Sequence, residues 1–342
     1  MGQRPTIRDV ADGAGVSVKT VSRVLNGEGS VAPTTALRVR AAVEALGYQR
    51  NEPAASLRRR GQSTSIIGLV IEDVSNPFYS VLARAVEQVA RENDYLLMVA
   101  SSDEDPGKEV DVIRAFCARR VDGLIVVPTG AEHSFLLPEM AAGTAVVFVD
   151  RPGVGVDGDS VVAANASGTA AAVSHLLDQG HVRIGYLGDD PAVYTAAERY
   201  AGYRQALDAA GVDLDESLVR LGVSDIATAE ASADEMIARS DAPTALFAGN
   251  NRLTIGALRA VRRDGRQVAV VGFDDFELAD MLDPPVTVVS QDSFELGRTA
   301  AELLFRRLGG DRRPSQHVVL DTTLVIRGSG EVEMADLAAV DS

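Results

Sequence analysis

The chain is poor in chemically reactive side chains. It has one cysteine, Cys117, no tryptophan, four histidines and an aromatic content of 5%. One thiol excludes an internal disulfide framework and a multi-cysteine metal site. The scattered histidines form no His-rich ligand cluster, so no metal is expected. No apolar run reaches the roughly eighteen residues of a membrane-spanning helix. The first ten residues hold no apolar segment of a secretory signal. The expectation is a cytoplasmic protein without membrane contact. What is present is a globular composition, 46% hydrophobic and 24% charged. At about 150 residues per domain, 342 residues suggest two or three domains.

Charge is unevenly spread. The net charge is −16, yet residues 1–62 carry ten basic and five acidic residues, a net of +5. The remainder carries 23 basic and 44 acidic residues, a net of −21. A basic head on an acidic body is what a separate module facing a polyanion would show.

Within the head, Thr6 and Asp9 have capping-box spacing, and Ile7, Val10, Ala11 and Ala14 recur at helical intervals. Gly15-Val16 reads as a tight turn. Ser17 then caps a second helix, Val18 to Leu25. A third helix is predicted from Pro33 to Leu46, burying Leu37, Val39, Ala42, Val43 and Leu46 and stopping at Gly47. Helix, short glycine-containing turn and second helix make a helix-turn-helix pattern.

The run Asp9-Val10-Ala11-Asp12-Gly13-Ala14-Gly15-Val16-Ser17 resembles the signature of the lactose-repressor (LacI/GalR) family. Thr20-Val21-Ser22-Arg23-Val24-Leu25-Asn26, Gly47-Tyr48, Asn51 and Ala54-x-x-Leu57 continue it. The resemblance implies that the second helix enters the major groove of double-stranded, pseudo-palindromic operator DNA. Val18, Lys19 and Arg23 are then base readers. Lysine and arginine suit guanine acceptors, and valine suits a thymine methyl. Thr20, Ser22 and Asn26 would hold phosphates. Residues 51–61 match a hinge helix in which Leu57, with Ala54, wedges the minor groove while Arg58 and Arg59 meet phosphates. Two departures stand out: Ala32 occupies a position usually held by a capping residue, and Arg50 replaces a usual proline.

From Ser65 onward, apolar runs alternate with helical patterns. Ile66–Ile71, Tyr95–Ala100, Gly123–Val127 and Ala145–Val149 read as buried strands. A second set reads Ser160–Ala163, Ile184–Leu187, Leu218–Leu221, Ala245–Ala248 and Val268–Gly272. The fold class is therefore α/β: a small all-α head and a two-lobed body of doubly wound parallel sheets. The resemblance extends through Val74-Ser75-Asn76-Pro77-Phe78-Tyr79, Arg199-Tyr200-Ala201-Gly202-Tyr203 and Gly272-Phe273-Asp274-Asp275 to a periplasmic-binding-protein-like type I body. It implies the following organisation. Residues 1–50 form the DNA-binding head and 62–330 the effector and dimerisation body. The N-lobe spans about 62–160 and 290–320, the C-lobe about 161–289 and 321–330. An acidic tail, 331–342, follows.

Ligands of open parallel sheets sit beyond the carboxyl ends of the strands. Carried over by position, Asn76, Phe78, Asp150, Arg199, Asn250, Asp274 and Gln291 are the candidate effector residues. Carboxylate, guanidinium and amide groups suit a polyol, whose hydroxyls must all be paired once buried. Val223-Ser224 stand where relatives often carry an aromatic, which leaves either a small or polar effector or a pocket plated by Phe78, Tyr79 or Tyr194. No Walker sequence, no Gly-x-Ser-x-Gly and no convergent nucleophile and base are present, so neither catalysis nor a cofactor is expected. The tail lacks sustained heptads, which leaves a homodimer as the expected assembly. The reading is a repressor of carbohydrate-related genes, controlled by a sugar or sugar derivative bound between the lobes. The alternatives are a solute-binding protein with the same body and a regulator governed by a protein co-effector.

Overall fold

The computed structural model describes residues 5–25, 31–48 and 63–331. Asn26, Ala54, Leu57, Arg58, Arg59 and the tail beyond Glu331 lie outside these residues. The chain divides into two units, with the boundary between Thr64 and Ser65.

The first unit holds α1 (Ile7–Ala14), α2 (Val18–Leu25) and α3 (Pro33–Leu46). The capping box at α1 is formed. Thr6 N–H donates to Asp9 Oδ2 at 2.7 Å, and Asp9 N–H donates to Thr6 Oγ1 at 3.4 Å. The Thr6 N–H, and the Thr6 hydroxyl donating to Asp9 Oδ2 at 2.8 Å, hold the Asp9 carboxyl below its usual range. Gly15 closes α1 at φ +62°, and a Cβ there would also meet the Arg38 guanidinium. Ser17 caps α2, its Oγ accepting from Thr20 N–H at 3.1 Å. Val10, Ala11, Ala14, Val21 and Val39 make the core. Ala32 offers no side-chain cap to α3, whose first turn starts on Pro33 instead.

Leu37, expected inside, is 66% exposed, and Leu46 lies at the surface too. Val39 and Leu37 are two positions apart, about 200° around the helix, so they cannot share a face. Arg38, counted above among the basic residues facing a polyanion, instead bonds the Ala14 and Gly15 carbonyls and ties α3 to the end of α1.

The second unit contains two six-stranded sheets. In the first lie β1 (Ile66–Ile71), β2 (Leu96–Ser101), β3 (Gly123–Val126), β4 (Ala145–Val149), β5 (Asp159–Ala163) and β11 (His317–Leu320). Their order is β11-β5-β4-β3-β1-β2, all pairs parallel. In the second lie β6 (Ile184–Leu187), β7 (Val219–Arg220), β8 (Ala245–Ala248), β9 (Ala269–Phe273), β10 (Thr287–Gln291) and β12 (Thr322–Val325). Their order is β12-β10-β9-β8-β6-β7, with only β10–β12 antiparallel. Strands buried on both faces read as continuous apolar runs, which is why most spans were legible.

The helices are α4 (Pro77–Glu92), α5 (Pro106–Ala118), the short α6 (Leu137–Ala141), α7 (Asn165–Asp178), α8 (Tyr194–Ala209), α9 (Ile226–Ile237), α10 (Asn251–Asp264) and α11 (Ser293–Leu308). Most start on a polar cap, with Asn76, Asp105, Asp225, Asn250 and Asp292 each accepting from the first turn. Helix pairs on equivalent faces approach closely. A Cβ on Gly202 in α8 would stand 2.1 Å from the Ala166 carbonyl, and one on Gly297 in α11 would stand 2.4 Å from the Leu82 carbonyl.

The chain passes between the sheets three times, after β5, β10 and β11. This corrects the expected lobe borders. β5 belongs wholly to the first sheet although residues 161–163 were assigned to the C-lobe. β10 belongs to the second sheet although residues 290 and 291 were assigned to the N-lobe. A fully buried parallel strand carries no mark of the sheet it joins.

Candidate functional site: the cleft between strand ends

β4 and β9 end in the same way. Asp150 follows Val149 and Asp274 follows Phe273, each at φ +69° and each buried. Each still donates its N–H to the neighbouring strand, Asp150 to Val161 O at 2.8 Å and Asp274 to Val289 O at 2.9 Å. The left-handed conformation is uncommon outside glycine but is tolerated by aspartate. It ends the strand abruptly while the carboxylate stays at the sheet's carboxyl edge.

Arg199 of α8 is held on several sides. Its Nε donates to Asn165 Oδ1 at 2.8 Å and its Nη1 to Gly249 O at 2.6 Å. Nη1 lies 3.5 Å from Asp274 Oδ2, and the guanidinium carbon lies 3.8 Å from the Phe273 ring centre. Gln291 Nε2 donates to Asp274 Oδ1 at 2.5 Å, while Gln291 Oε1 is buried without a hydrogen-bond partner. The structure thus brings Arg199, Asp274 and Gln291 together. Asp150 faces them from the other sheet. Burial pushes its carboxyl upward, Arg151 and Arg199 oppose this, and Asp274 and Glu104 add to it.

Around Asp150 lies a second cluster that sequence reasoning missed. Arg151 pairs with Glu104, donates to Pro128 O at 2.8 Å, and reaches Glu72 at 3.3 Å and Asp150 at 3.5 Å. The Tyr79 hydroxyl donates to Glu72 Oε2 at 2.9 Å. Burial, then repulsion from Glu104, raises the Glu72 carboxyl to about 7. Asp189, just past β6, is raised by burial and, more weakly, by Glu104. Glu72 and Asp189 both lie within two residues of a strand's carboxyl end, which was the available signal.

Three expected effector residues have other partners. Asn76 Oδ1 caps α4 at Phe78 N–H, 3.1 Å away, and also accepts from Asn251 Nδ2 at 3.1 Å across the cleft. Beside it, Arg252 pairs with Asp73, holding that carboxyl at about 2. Asn250 Oδ1 caps α10 at Leu253 N–H, 2.9 Å away. Phe78 is half-buried, edge-on to Tyr79 at 4.9 Å.

In the first unit, Val18, Lys19 and Arg23 are exposed on α2 while Val21 points inward. Thr20 and Ser22 are half-buried, and the Thr20 hydroxyl lies 2.9 Å from that of Ser17. Thr20 therefore serves the cap of α2. Among the described residues no group of His, Cys, Asp and Glu could hold a metal, and no helix is long and apolar enough to cross a membrane.

Comparison with known proteins agrees with this layout. Residues 6–51 match the model for bacterial regulatory proteins of the lacI family, and residues 173–330 match a periplasmic binding protein-like domain. The transcriptional regulator DegA of Bacillus subtilis is 35% identical over 335 residues, covering 95% of this chain and 98% of DegA. CelR of Thermobifida fusca is 34% identical, covering 96% of this chain and 99% of CelR. Among solved structures, a CelR–cellobiose complex superposes with a TM-score of 0.70 at 32% identity, covering 95% of this chain and all of the other. The lac repressor dimer bound to operator and an anti-inducer superposes at 0.82 with 26% identity, covering 97% and 100%. A helix-turn-helix unit with an exposed second helix, followed by two largely parallel sheets around a polar cleft, and full-length similarity to such regulators lead to one assignment: the chain belongs to the LacI family of DNA-binding transcriptional regulators.

Proposed function

We propose that this regulator is a homodimeric repressor of carbohydrate-related genes whose grip on a pseudo-palindromic operator is set by a sugar or sugar derivative in the cleft. The observation that carries this reading is the buried Arg199–Asp274–Gln291 constellation facing Asp150. It offers carboxylate and amide oxygens, one of them unpartnered, where hydroxyls could be paired. The cleft groups Glu72, Glu104, Asp150, Asp189 and Asp274 outnumber Arg151 and Arg199. Both arginines already have acidic partners. That balance favours an uncharged, hydroxyl-rich effector over a phosphorylated one. The relatives' cellobiose complex is consistent with this.

Val18, Lys19 and Arg23 would read bases, with Thr20, Ser22, Asn26, Arg58 and Arg59 on phosphates and Leu57 with Ala54 in the minor groove. Dimerisation fits two exposed apolar features of the body. One is the edge strand β2, with Leu96 71% exposed. The other is the loop carrying Leu278 and Met281, the latter 77% exposed.

The test is a thermal-shift screen against neutral sugars, sugar phosphates, polyols and nucleosides. A ligand at 100 times its Kd stabilises the folded state by about 2.7 kcal/mol. Asp274→Ala should lose that shift and keep operator binding. Arg23→Ala should weaken operator binding by roughly 1–3 kcal/mol and keep the shift. A normal ligand response in Asp274→Ala, or a preference for sugar phosphates, would reject the cleft as drawn.

A further inference from the structure

Among the described residues three tyrosines are buried, and two of them direct their hydroxyls to the protein. Tyr79 donates to Glu72 Oε2 at 2.9 Å, and Tyr203 to Ile184 O at 2.8 Å. The Tyr186 hydroxyl is buried with no hydrogen-bond partner among the described residues. Its ring is fixed between those of Tyr203, Tyr200 and Phe247, with centres 4.9, 5.2 and 5.9 Å away, so it has little room to swing toward one. A buried hydroxyl left unpaired is costly and uncommon, which points to a partner from outside the chain.

The position of the hydroxyl narrows what that partner is. Tyr186 lies in β6, and Gly188 continues the ladder, its N–H donating to Arg220 O at 2.8 Å. Two residues apart on a strand, the two positions share a face. A Cβ on Gly188 would stand 2.4 Å from Tyr186 Cε1 and 3.0 Å from the hydroxyl oxygen. The ring therefore runs along the strand toward its carboxyl end, over a position that glycine leaves open. Gly249, just past β8, is the second neighbour, and a Cβ there would stand 3.7 Å from the same oxygen. Gly249 O accepts from Arg199 Nη1 at 2.6 Å. The hydroxyl thus comes up at the carboxyl ends of β6 and β8, beside the Arg199–Asp274–Gln291 constellation. Burial pushes the phenol upward, with Arg199 opposing, so the hydroxyl keeps its proton. Arg199, Asp274 and Gln291 are buried as well, so any opening that admits an effector to them has to reach this depth.

We infer that Tyr186 is a specificity-determining residue of the effector site, its hydroxyl pairing with one particular hydroxyl of the bound sugar. The inference rests on the reading of the cleft as a carbohydrate site and deepens it. A protonated phenol can donate to a sugar hydroxyl. The proton of that sugar hydroxyl can then go to an acceptor of the constellation, Asp274 or the unpartnered Gln291 Oε1. A site built to bond a hydroxyl discriminates against the analogue lacking it, which leaves the buried protein group unpaired. Tyr186 would in this way separate a sugar from its deoxy form at a single carbon.

The experiment is isothermal titration of the full-length protein with D-glucose, D-galactose, D-xylose, D-ribose and cellobiose, and with the monodeoxy forms of each sugar that binds. Wild type should bind one deoxy form about tenfold more weakly than its parent. Tyr186→Phe should bind the parent about tenfold more weakly than wild type does, and should no longer distinguish the parent from that deoxy form. The ratios for the other deoxy forms should stay as they are. Without sugar, urea unfolding should show Tyr186→Phe no less stable than wild type, since no bond within the chain is lost. A merely structural hydroxyl would give the reverse: lower stability and an unchanged pattern of discrimination. Marked destabilisation of the unliganded variant therefore overturns the inference. So does an unchanged affinity of Tyr186→Phe for the parent, as an internal water on the hydroxyl would give, and so does a uniform loss across all deoxy forms. If wild type itself binds none of the sugars, the carbohydrate reading of the cleft fails and takes this inference with it.

Discussion

Arg199→Met isolates what the buried guanidinium does. Methionine keeps the length and most of the apolar contact with the Phe273 ring, so cavity formation is a small part of the effect. What is lost is charge and hydrogen bonding. Asn165 Oδ1 and Gly249 O lose their donor, and the Asp274 carboxylate, 7% exposed, loses the cation 3.5 Å away. A hydrogen bond from a charged donor contributes about 1.5–3 kcal/mol. Removing one partner of a buried ion pair costs about 3–5 kcal/mol, much of it from the charge left behind. The lower figure is the safer expectation, because Gln291 still donates to Asp274. We therefore expect a loss of at least about 3 kcal/mol. It would be measured by urea unfolding, read at the near-ultraviolet signal of Tyr186, Tyr200 and Tyr203, which cluster in the same lobe. Asp274→Asn added to Arg199→Met removes the stranded charge and should restore about 1–3 kcal/mol, a coupling within the range for contacting residues. If Arg199→Met costs under about 1 kcal/mol, or the two changes simply add, the guanidinium is not what neutralises Asp274 and the geometric argument fails.

Other perturbations test other links. Glu72 has its folded carboxyl raised from 4.5 to about 7, so the native state binds more protons than the unfolded one between those values. Stability should therefore fall as pH rises from 4.5 to 7, by up to about 3 kcal/mol from this group. Glu72→Gln should flatten that slope and be the more stable form at pH 8; an unchanged slope by denaturant titration would disprove the cluster's role. Gly202→Ala places a methyl against a backbone carbonyl that cannot yield without moving a helix. It should cost roughly 1–3 kcal/mol or more, and a neutral melting temperature would contradict the α7–α8 approach. Gly15→Ala forces a Cβ into a left-handed turn and should lower the head's stability by about 1 kcal/mol, weakening operator binding without touching the ligand response.

Much of this was legible because buried parallel strands are apolar throughout and stop where polar residues begin. Asp150 and Asp274 could be found as the first polar residues after such runs, and Arg199 by its place in a motif whose glycine packs helices. The misreadings have physical causes of their own. Asn76 and Asn250 were read only as ligand groups, whereas an asparagine before a helix is drawn to the first-turn N–H groups, and the Oδ1 of each caps a helix. Glu104 was invisible because its partner, Arg151, is 47 positions away. Leu37 was misplaced by counting apolar residues without assigning each to a helix face. The expected lobe border cut through β5, after residue 160, because nothing in a five-residue buried run says which sheet it will extend.

The two lobes solve one problem twice and then diverge. Strand orders correspond position for position, β4 matching β9 and β5 matching β10. Val-Phe-Val-Asp at 147–150 ends as Val-Gly-Phe-Asp at 271–274 does, with the same backbone angle and the same bond to the next strand. A buried carboxylate at each position demands a cation. The first lobe supplies Arg151, the next residue, which is itself shared with Glu104 and Glu72. The second supplies Arg199, from a helix 75 positions upstream, stacked on Phe273 and fixed by a carbonyl and an amide. The first arrangement leaves an excess of carboxylate and a group, Glu72, that titrates near neutrality. The second is close to neutral and tightly bonded. A ligand spanning both Asp150 and Asp274 would therefore meet a fixed half and a proton-sensitive half. It follows that the pH dependence of effector affinity around 7 should fall in Glu72→Gln by more than in any single variant confined to the second lobe.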